Sequence, residues 1–232
     1  MIYEINCGHC IQGFDTGAVG NGLKEQDLTR LVGNKVMQKL KLLGHTVIDC
    51  TVDSATSVSS ALSTICAKAN AVKAEHFVSI HFNASNGQGH GAEIFTYAGI
   101  ETIQAINILK NIKALGYVNR GVKNGNHLAV INKTAAKAML IECCFIDNAE
   151  DIKIFNADKM ADAIVQGLTG QLVKPVVIEL EVKVTKVKYC LEFQIWYNKV
   201  TQTTSPLAED GVWVPATDNA YKLLDKLIRG TY

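Results

Sequence analysis

Ile2 to Cys7 alternates along its length and runs into Gly8-His9, which predicts a first strand leading to a loop. Residues 8 to 22 carry five Gly together with Asp15 and Thr16, the composition of a long functional loop. Apolar residues then recur at helical spacing from Leu23 to Leu43 (Leu23, Leu28, Leu31, Val32, Val36, Leu40, Leu43), and Gly44 marks the stop. Thr46 to Ile48 reads as a short strand. Ser57 to Ala74 reads as an amphipathic helix with a Ser-rich, capping start. His76 to Phe82 and Gly91 to Tyr97 read as strands, followed by a helix from about Glu101 to Leu115. Strands around Leu128 to Ile131 and Ala138 to Glu142, then a helix from about Asp158 to Leu172, complete the pattern.

Strands alternating with helices predict an α/β fold, a mostly parallel twisted sheet with helices on both faces. In such sheets working residues gather at the carboxyl ends of strands. Lys174-Pro175 breaks the pattern. Val176 to Lys188 alternates apolar and charged residues, as a strand or an extended linker would, and residues 189 to 232 hold both Trp in what reads as a small helical unit. The expected division is 1–174 for the main domain and 175–232 for linker plus helical module.

Composition narrows the function classes. With 232 residues, 48% hydrophobic and 19% charged, the chain has material for one sizeable core and a small appendage. A formal net charge of +1 leaves no electrostatic footprint for nucleic acid or an anionic membrane, and the apolar runs are too short and too interrupted to span a bilayer. Seven Cys, two of them adjacent at Cys143-Cys144, do not read as a disulfide framework. The opening residues lack the basic and long apolar regions of a signal peptide, so the expectation is synthesis in the cytoplasm without an export signal.

Three positions place metal-type ligands at a strand end or helix start: His9 after the first strand, Glu25 in the first turn of the first helix, and His81 at the end of the third strand. Two imidazoles and a carboxylate leave one position of a tetrahedral zinc open, the pattern of a catalytic site. Glu142 ends the strand A-M-L-I-E and supplies a carboxylate for proton transfer if it points into the same crevice. Spacing alone is weak, because any α/β protein has polar residues at strand ends.

The neighbouring residues are more specific. Gly8-His9, Asp15-Thr16-Gly17-Ala18-Val19-Gly20, Lys24-Glu25, Ala69-Asn70, Ser79-Ile80-His81-Phe82-Asn83-Ala84, Gly91-Ala92-Glu93, Asn119-Arg120-Gly121-Val122-Lys123 and Leu140-Ile141-Glu142-Cys143-Cys144-Phe145-Ile146 occur in that order. Over residues 1 to 172 this series resembles the zinc-dependent N-acetylmuramoyl-L-alanine amidases of sporulation enzymes and phage endolysins. The resemblance implies zinc on His9, Glu25 and His81, catalysis by Glu142, and peptidoglycan as substrate, cut at the amide between muramic acid and L-alanine. Asn83 and Arg120 are candidates for holding substrate, with Asn83 equally suited to ordering the site and Arg120 to capping a helix. The chain departs from the family pattern at Cys10-Ile11, where Gly-Gly is usual, and at Cys144, where Gly is usual. Cys7 and Cys10 are read as packing residues.

Among the other polar residues, His45 is expected to be exposed, and His127 to be structural or to line the groove. Glu93 is a second acidic group with no ligand role implied. Pro206 to Ala220 resembles the D-G-x-x-G-P-x-T-x-x-A signature of small helical peptidoglycan-binding modules, with Val214 in place of the usual Gly. Two competing functions remain: a zinc peptidase cutting within the stem peptide, and a catalytically dead wall-binding protein. Neither H-E-x-x-H nor G-x-S-x-G occurs. An endolysin released through holes made by another protein, in the manner of holin-dependent lysis, is the expected setting.

Overall fold

A computed structural model describes residues 1–173, 190–201 and 206–229. The chain divides into two compact units, Met1–Lys174 and Pro175–Tyr232. The expected boundary at Lys174-Pro175 and the alternating stretch Val176 to Lys188 lie outside the described residues.

The first unit runs β1 (Ile2–Cys7), β2 (Gln12–Gly13), β3 (Val19–Gly20), β4 (Leu23–Lys24), α1 (Glu25–Leu42), β5 (Thr46–Asp49), β6 (Ser54–Ala55), α2 (Val58–Ala69), β7 (His76–Asn83) and β8 (Ala92–Thr96). It continues with α3 (Ile103–Ala114), β9 (Asn119–Asn124), α4 (Ala129–Asn132), β10 (Lys137–Phe145), α5 (Ala149–Lys153) and α6 (Ala157–Thr169). Six strands form one sheet in the order β5-β1-β7-β10-β8-β9. β5, β1, β7 and β10 are mutually parallel, as are β8 and β9 with each other, while β8 meets β10 antiparallel. The expected mostly parallel sheet with helices on both faces is the observed one.

Side-chain alternation sorts the two faces. Tyr3, Ile5, Val78, Ile80, Met139 and Ile141 turn to one face and form the larger core with α1, α3 and α6. Phe77 and Leu140 turn to the other face, where Ile65, Cys66 and Ala69 of α2 and Val130 and Ile131 of α4 cover them. This second cover is short, so the face stays open beyond it, at the carboxyl ends of β1, β7 and β10.

Local signals account for the helix ends. Ser57 accepts from the Ser60 N–H at 3.1 Å and starts α2. The helix stops at Ala69 rather than Ala74, because the Asn70 side chain is engaged with the Lys133 carbonyl and the Ala135 N–H. Asn156 caps α6, and Gly170 closes it in the left-handed conformation.

Two elements differ from expectation. Leu128 to Ile131 is not a strand but leads into the single helical turn α4, held by turn bonds from Leu128 N–H to the Gly125 carbonyl and from Ile131 N–H to the Leu128 carbonyl. Four apolar residues cannot distinguish strand from buried helix by periodicity. Conversely, Asn119–Asn124 is an edge strand whose polar, mostly exposed residues carry no alternation signal.

In the second unit, α7 (Cys190–Thr201) and α8 (Pro215–Arg229) are joined through Gln194, a buried residue. Its amide donates to the Val212 carbonyl at 2.9 Å and accepts from the Gly211 N–H at 2.9 Å. Phe193 lies within 6.3 Å of Trp196, Tyr197, Trp213 and Tyr221, ring centre to ring centre. Trp196 and Tyr221 are exposed.

Candidate metal centre

The exit of β1 is held by α1. Buried Thr29 donates to the Gly8 carbonyl at 2.9 Å, and the Arg30 guanidinium donates to the His9 carbonyl at 3.0 Å while pairing with Asp53 at 2.7 Å. These bonds keep His9 in the left-handed region, φ 64°, a conformation that costs a non-glycine residue energy and recurs at functional sites. The ring is thereby aimed across the strand ends.

Glu25 is the first residue of α1 and is buried. Its Oε2 accepts from the Ala18 N–H at 2.8 Å and its Oε1 from the Phe82 N–H at 3.0 Å, so both oxygens are fixed by backbone. His9 Nε2 lies 3.2 Å from Oε2, and His81 Nδ1 lies 3.1 Å from Oε1. Donor atoms of His9, Glu25 and His81 all fall within 4.8 Å of one another. A tetrahedral zinc about 2.0–2.2 Å from each donor sets donors about 3.3–3.6 Å apart, close to the 3.2 and 3.1 Å between the Glu25 oxygens and the two rings.

Space for that convergence comes from two glycines. A Cβ at Gly8 would stand 2.3 Å from the His81 ring. A Cβ at Gly17, whose φ is 71°, would stand 2.7 Å from the His9 ring and 2.8 Å from the Glu25 carboxylate. Nδ1 of His9, the nitrogen facing away from Glu25, sits 2.6 Å from Asp15 Oδ1. A carboxylate behind a histidine fixes its tautomer and orientation toward a metal. Asp15 was not singled out as a site residue in the sequence, although it opens the D-T-G-A-V-G loop.

The three donor side chains are strongly coupled to one another. Burial works against charge on His9, yet the Glu25 and Asp15 carboxylates outweigh it and lift its pKa to about 9. Burial also works against the Glu25 carboxylate, but the two imidazoles hold its pKa far below the usual range. The donor set of two nitrogens and one ionised oxygen fits a divalent cation of the zinc type. No thiol joins the three: Cys7 and Cys10 are buried in packing, with Cys7 Sγ against Gly33. The cysteines among the described residues are unpaired.

Glu142 stands directly opposite His81 in the β10–β7 pairing, so both side chains share the open face. Its Oε2 is buried and without a hydrogen-bond partner. Burial, then repulsion from Glu25 and Glu93, raises its pKa to about 8, with His9 pulling the other way. Immediately after Glu142 the register with β7 slips before Phe145. This irregularity accommodates Cys143 and Cys144, both fully buried in the core on the opposite face.

The antiparallel insertion of β8 brings residues from the starts of β8 and β9 to the same rim. Glu93 is the pairing partner of Glu142. Asn83 donates to Glu93 Oε1 at 2.8 Å, and Arg120 Nε donates to Glu93 Oε2 at 3.0 Å. The Arg120 guanidinium also lies over the Phe145 ring at 4.9 Å. Asn83 and Arg120 are thus both tied to one carboxylate, and Arg120 caps no helix among these contacts.

Of the remaining histidines, His127 is exposed, lies edge-on to Phe95 at 5.9 Å, and lines a cavity beside the three donors. His45 is half-buried rather than exposed, with its ring against Tyr3 at 5.2 Å. Gly44 ends α1 but turns the chain straight back into β5, which pulls the ring inward.

Fold and site together define an α/β protein with a two-histidine, one-glutamate candidate metal centre at the strand ends. Residues 4–172 match the family described as N-acetylmuramoyl-L-alanine amidase, and the chain belongs to it. It is 34% identical over 172 residues to the endolysin of Bacillus phage SPP1, covering 70% of this chain and 61% of that protein. It is 29% identical to the N-acetylmuramoyl-L-alanine amidase CwlM of Bacillus licheniformis, covering 73% of this chain and 66% of the relative. The chain therefore spans somewhat under two thirds of the length of these relatives. Its structure is similar to the catalytic domain of CD27L, an endolysin targeting Clostridia difficile, with a TM-score of 0.68, 26% identity, and coverage of 75% of this chain and 99% of that one.

Proposed function

We propose that this chain hydrolyses the amide joining the lactyl group of N-acetylmuramic acid to L-alanine in peptidoglycan, using zinc held by His9, Glu25 and His81. The observation that carries this reading is the meeting of those three donors beside an unpartnered, buried Glu142, in a chain that belongs to the amidase family. When bound, zinc supplies a Lewis acid that polarises the scissile carbonyl and makes water acidic enough to attack near neutrality.

The chain's own residues do the rest. Asp15 holds the His9 ring, and the Ala18 and Phe82 amides hold Glu25. Glu142 takes a proton from the attacking water and returns it to the leaving amine of L-alanine. Burial and the neighbouring Glu25 and Glu93 carboxylates shift Glu142 upward from the ordinary carboxylate range, the direction a carboxyl needs to return the proton it takes. Asn83 and Arg120 act on substrate at the rim while steadying Glu93.

The domain reading follows the same line: residues 1–174 catalyse, and 175–232 link to a small helical module that binds wall. Partly exposed aromatics around Phe193 support a binding role, which raises the local concentration of substrate. A lysis role after release through holes made by another protein is supported by similarity to the SPP1 endolysin. No helix among the described residues is long and apolar enough to cross a membrane.

Mass spectrometry of digested wall tests the bond assignment. The expected products are stem peptides beginning with L-alanine and glycan bearing free lactyl carboxyl groups. Fragments beginning at another stem residue identify a peptidase instead, and binding without any product identifies a wall-binding protein.

A further inference from the structure

A cavity of about 260 Å³ opens beside the three donors on the face roofed by α2 and α4. Val58, Leu62 and Ile65 of α2, Leu128, Ala129 and Val130 at α4, and Leu140 of β10 form its apolar wall, and Asn6, His9, Asp15, His81 and His127 form its polar side. Neither Lys, Arg nor Glu is among its lining residues. Asp15 is already engaged by His9 at 2.6 Å.

Size and chemistry together limit the occupant. The cavity is smaller than the roughly 300–1,000 Å³ of most small-molecule sites, so it suits one short residue rather than a sugar pair. A sugar would set hydroxyls against the aliphatic wall, turned away from the polar side, which is costly. A small aliphatic group meets none of these penalties.

Position selects which small aliphatic group. Leu140 precedes Glu142 by two residues on the same strand, so it shares the face of that carboxyl and lies about 6.6 Å along the strand from it. Glu142 serves the amine side of the scissile bond, and the substituent nearest that amine is the α-carbon of the residue that carries it. The polar group Glu93, Asn83 and Arg120 occupies the opposite flank of Glu142, where hydroxyls and carboxylates find partners.

We propose that this cavity is the subsite for the methyl-bearing residue on the amine side of the cut, so that Leu62, Ile65, Ala129 and Leu140 select L-alanine over glycine and over larger residues. The inference rests on the amidase reading. It goes further in assigning substrate choice to residues of α2, α4 and β10 that hold no metal and move no proton.

The test uses the full chain loaded with zinc and three synthetic N-acetylmuramoyl dipeptides carrying glycine, L-alanine or L-valine at the first position. Wild type should favour alanine over glycine by about tenfold in kcat/KM, the scale of one methyl in an apolar pocket. Ala129→Leu fills the cavity. It should lose about tenfold on the alanine substrate and under about threefold on the glycine one, with zinc content unchanged. Leu62→Ala enlarges the cavity and should raise valine cleavage relative to alanine, which keeps the test decisive if Ala129→Leu proves unstable. Equal losses on all three substrates, or discrimination that instead follows replacement of the lactyl methyl, would overturn the pocket assignment. No cleavage of any muramoyl amide by wild type would overturn the amidase reading, and the pocket with it.

Discussion

Asp15 Oδ1 lies 2.6 Å from His9 Nδ1, and this one contact turns the opposite ring nitrogen, Nε2, to within 3.2 Å of Glu25. The histidine is therefore oriented before any ion arrives. Asp15→Ala leaves the ring free to rotate and should lower zinc affinity about 10- to 100-fold, the usual scale for losing a carboxylate behind a metal-bound histidine. Competition with a chromophoric chelator measures it. Unchanged affinity would mean that the left-handed backbone of His9 suffices to aim the ring.

Gly17 makes a sharper test of the cradle. Gly17→Ala places a methyl 2.7 Å from the His9 ring and 2.8 Å from Glu25, at a backbone angle that disfavours any side chain. Zinc content should fall while the far-ultraviolet circular dichroism of the variant stays that of wild type. A fully loaded Gly17→Ala protein contradicts the assigned geometry.

Arg120 and Glu93 should behave as a unit. The two are joined at 3.0 Å, and Glu93 stands opposite Glu142. Arg120→Ala and Glu93→Gln should each reduce kcat/KM, and the double variant should cost less than the sum, with a coupling of about 0.5–3 kcal/mol. Strict additivity would show that Arg120 serves substrate alone.

Stability should depend on pH through Glu4, which plays no part in the chemistry. Glu4 is fully buried on the α2 face, neither carboxyl oxygen has a partner, and burial raises its pKa to about 7. The unfolded value is about 4.3. Between the two, the folded state keeps a proton that the unfolded state has released, so unfolding free energy falls as pH rises through that window and levels off above it. Glu4→Gln should remove this part of the slope, about 2–4 kcal/mol between pH 4.5 and pH 8. Urea unfolding of both proteins at several pH values checks it, and parallel curves would contradict it.

Much of this was legible before the structure, for identifiable reasons. Strands such as His76–Asn83 are apolar and bounded, and α1 shows its period plainly, so the layers of the fold could be read. His9, Glu25 and His81 each sit where an element begins or ends, positions that local sequence marks well. What local sequence cannot carry is pairing between distant strands. The reversal that sets β8 against β10 brings Glu93, with Arg120 bound to it, opposite Glu142, and β9 lacks any apolar alternation to announce it. Asp15 is an ordinary loop aspartate in the sequence, because the ring it orients is placed only by the fold. Leu128 to Ile131 is too short for its periodicity to separate strand from helix.

Release of L-alanine amino groups from purified wall separates a zinc amidase from a peptidase or a wall-binding protein. The proteins compared are wild type, Glu142→Ala, and metal-stripped protein with and without added zinc. New amino-terminal alanine is expected from wild type, none from stripped protein until zinc is restored, and a loss of about 10²- to 10⁴-fold in Glu142→Ala with zinc still bound. Full activity in the stripped protein, or in Glu142→Ala, would contradict the zinc amidase assignment.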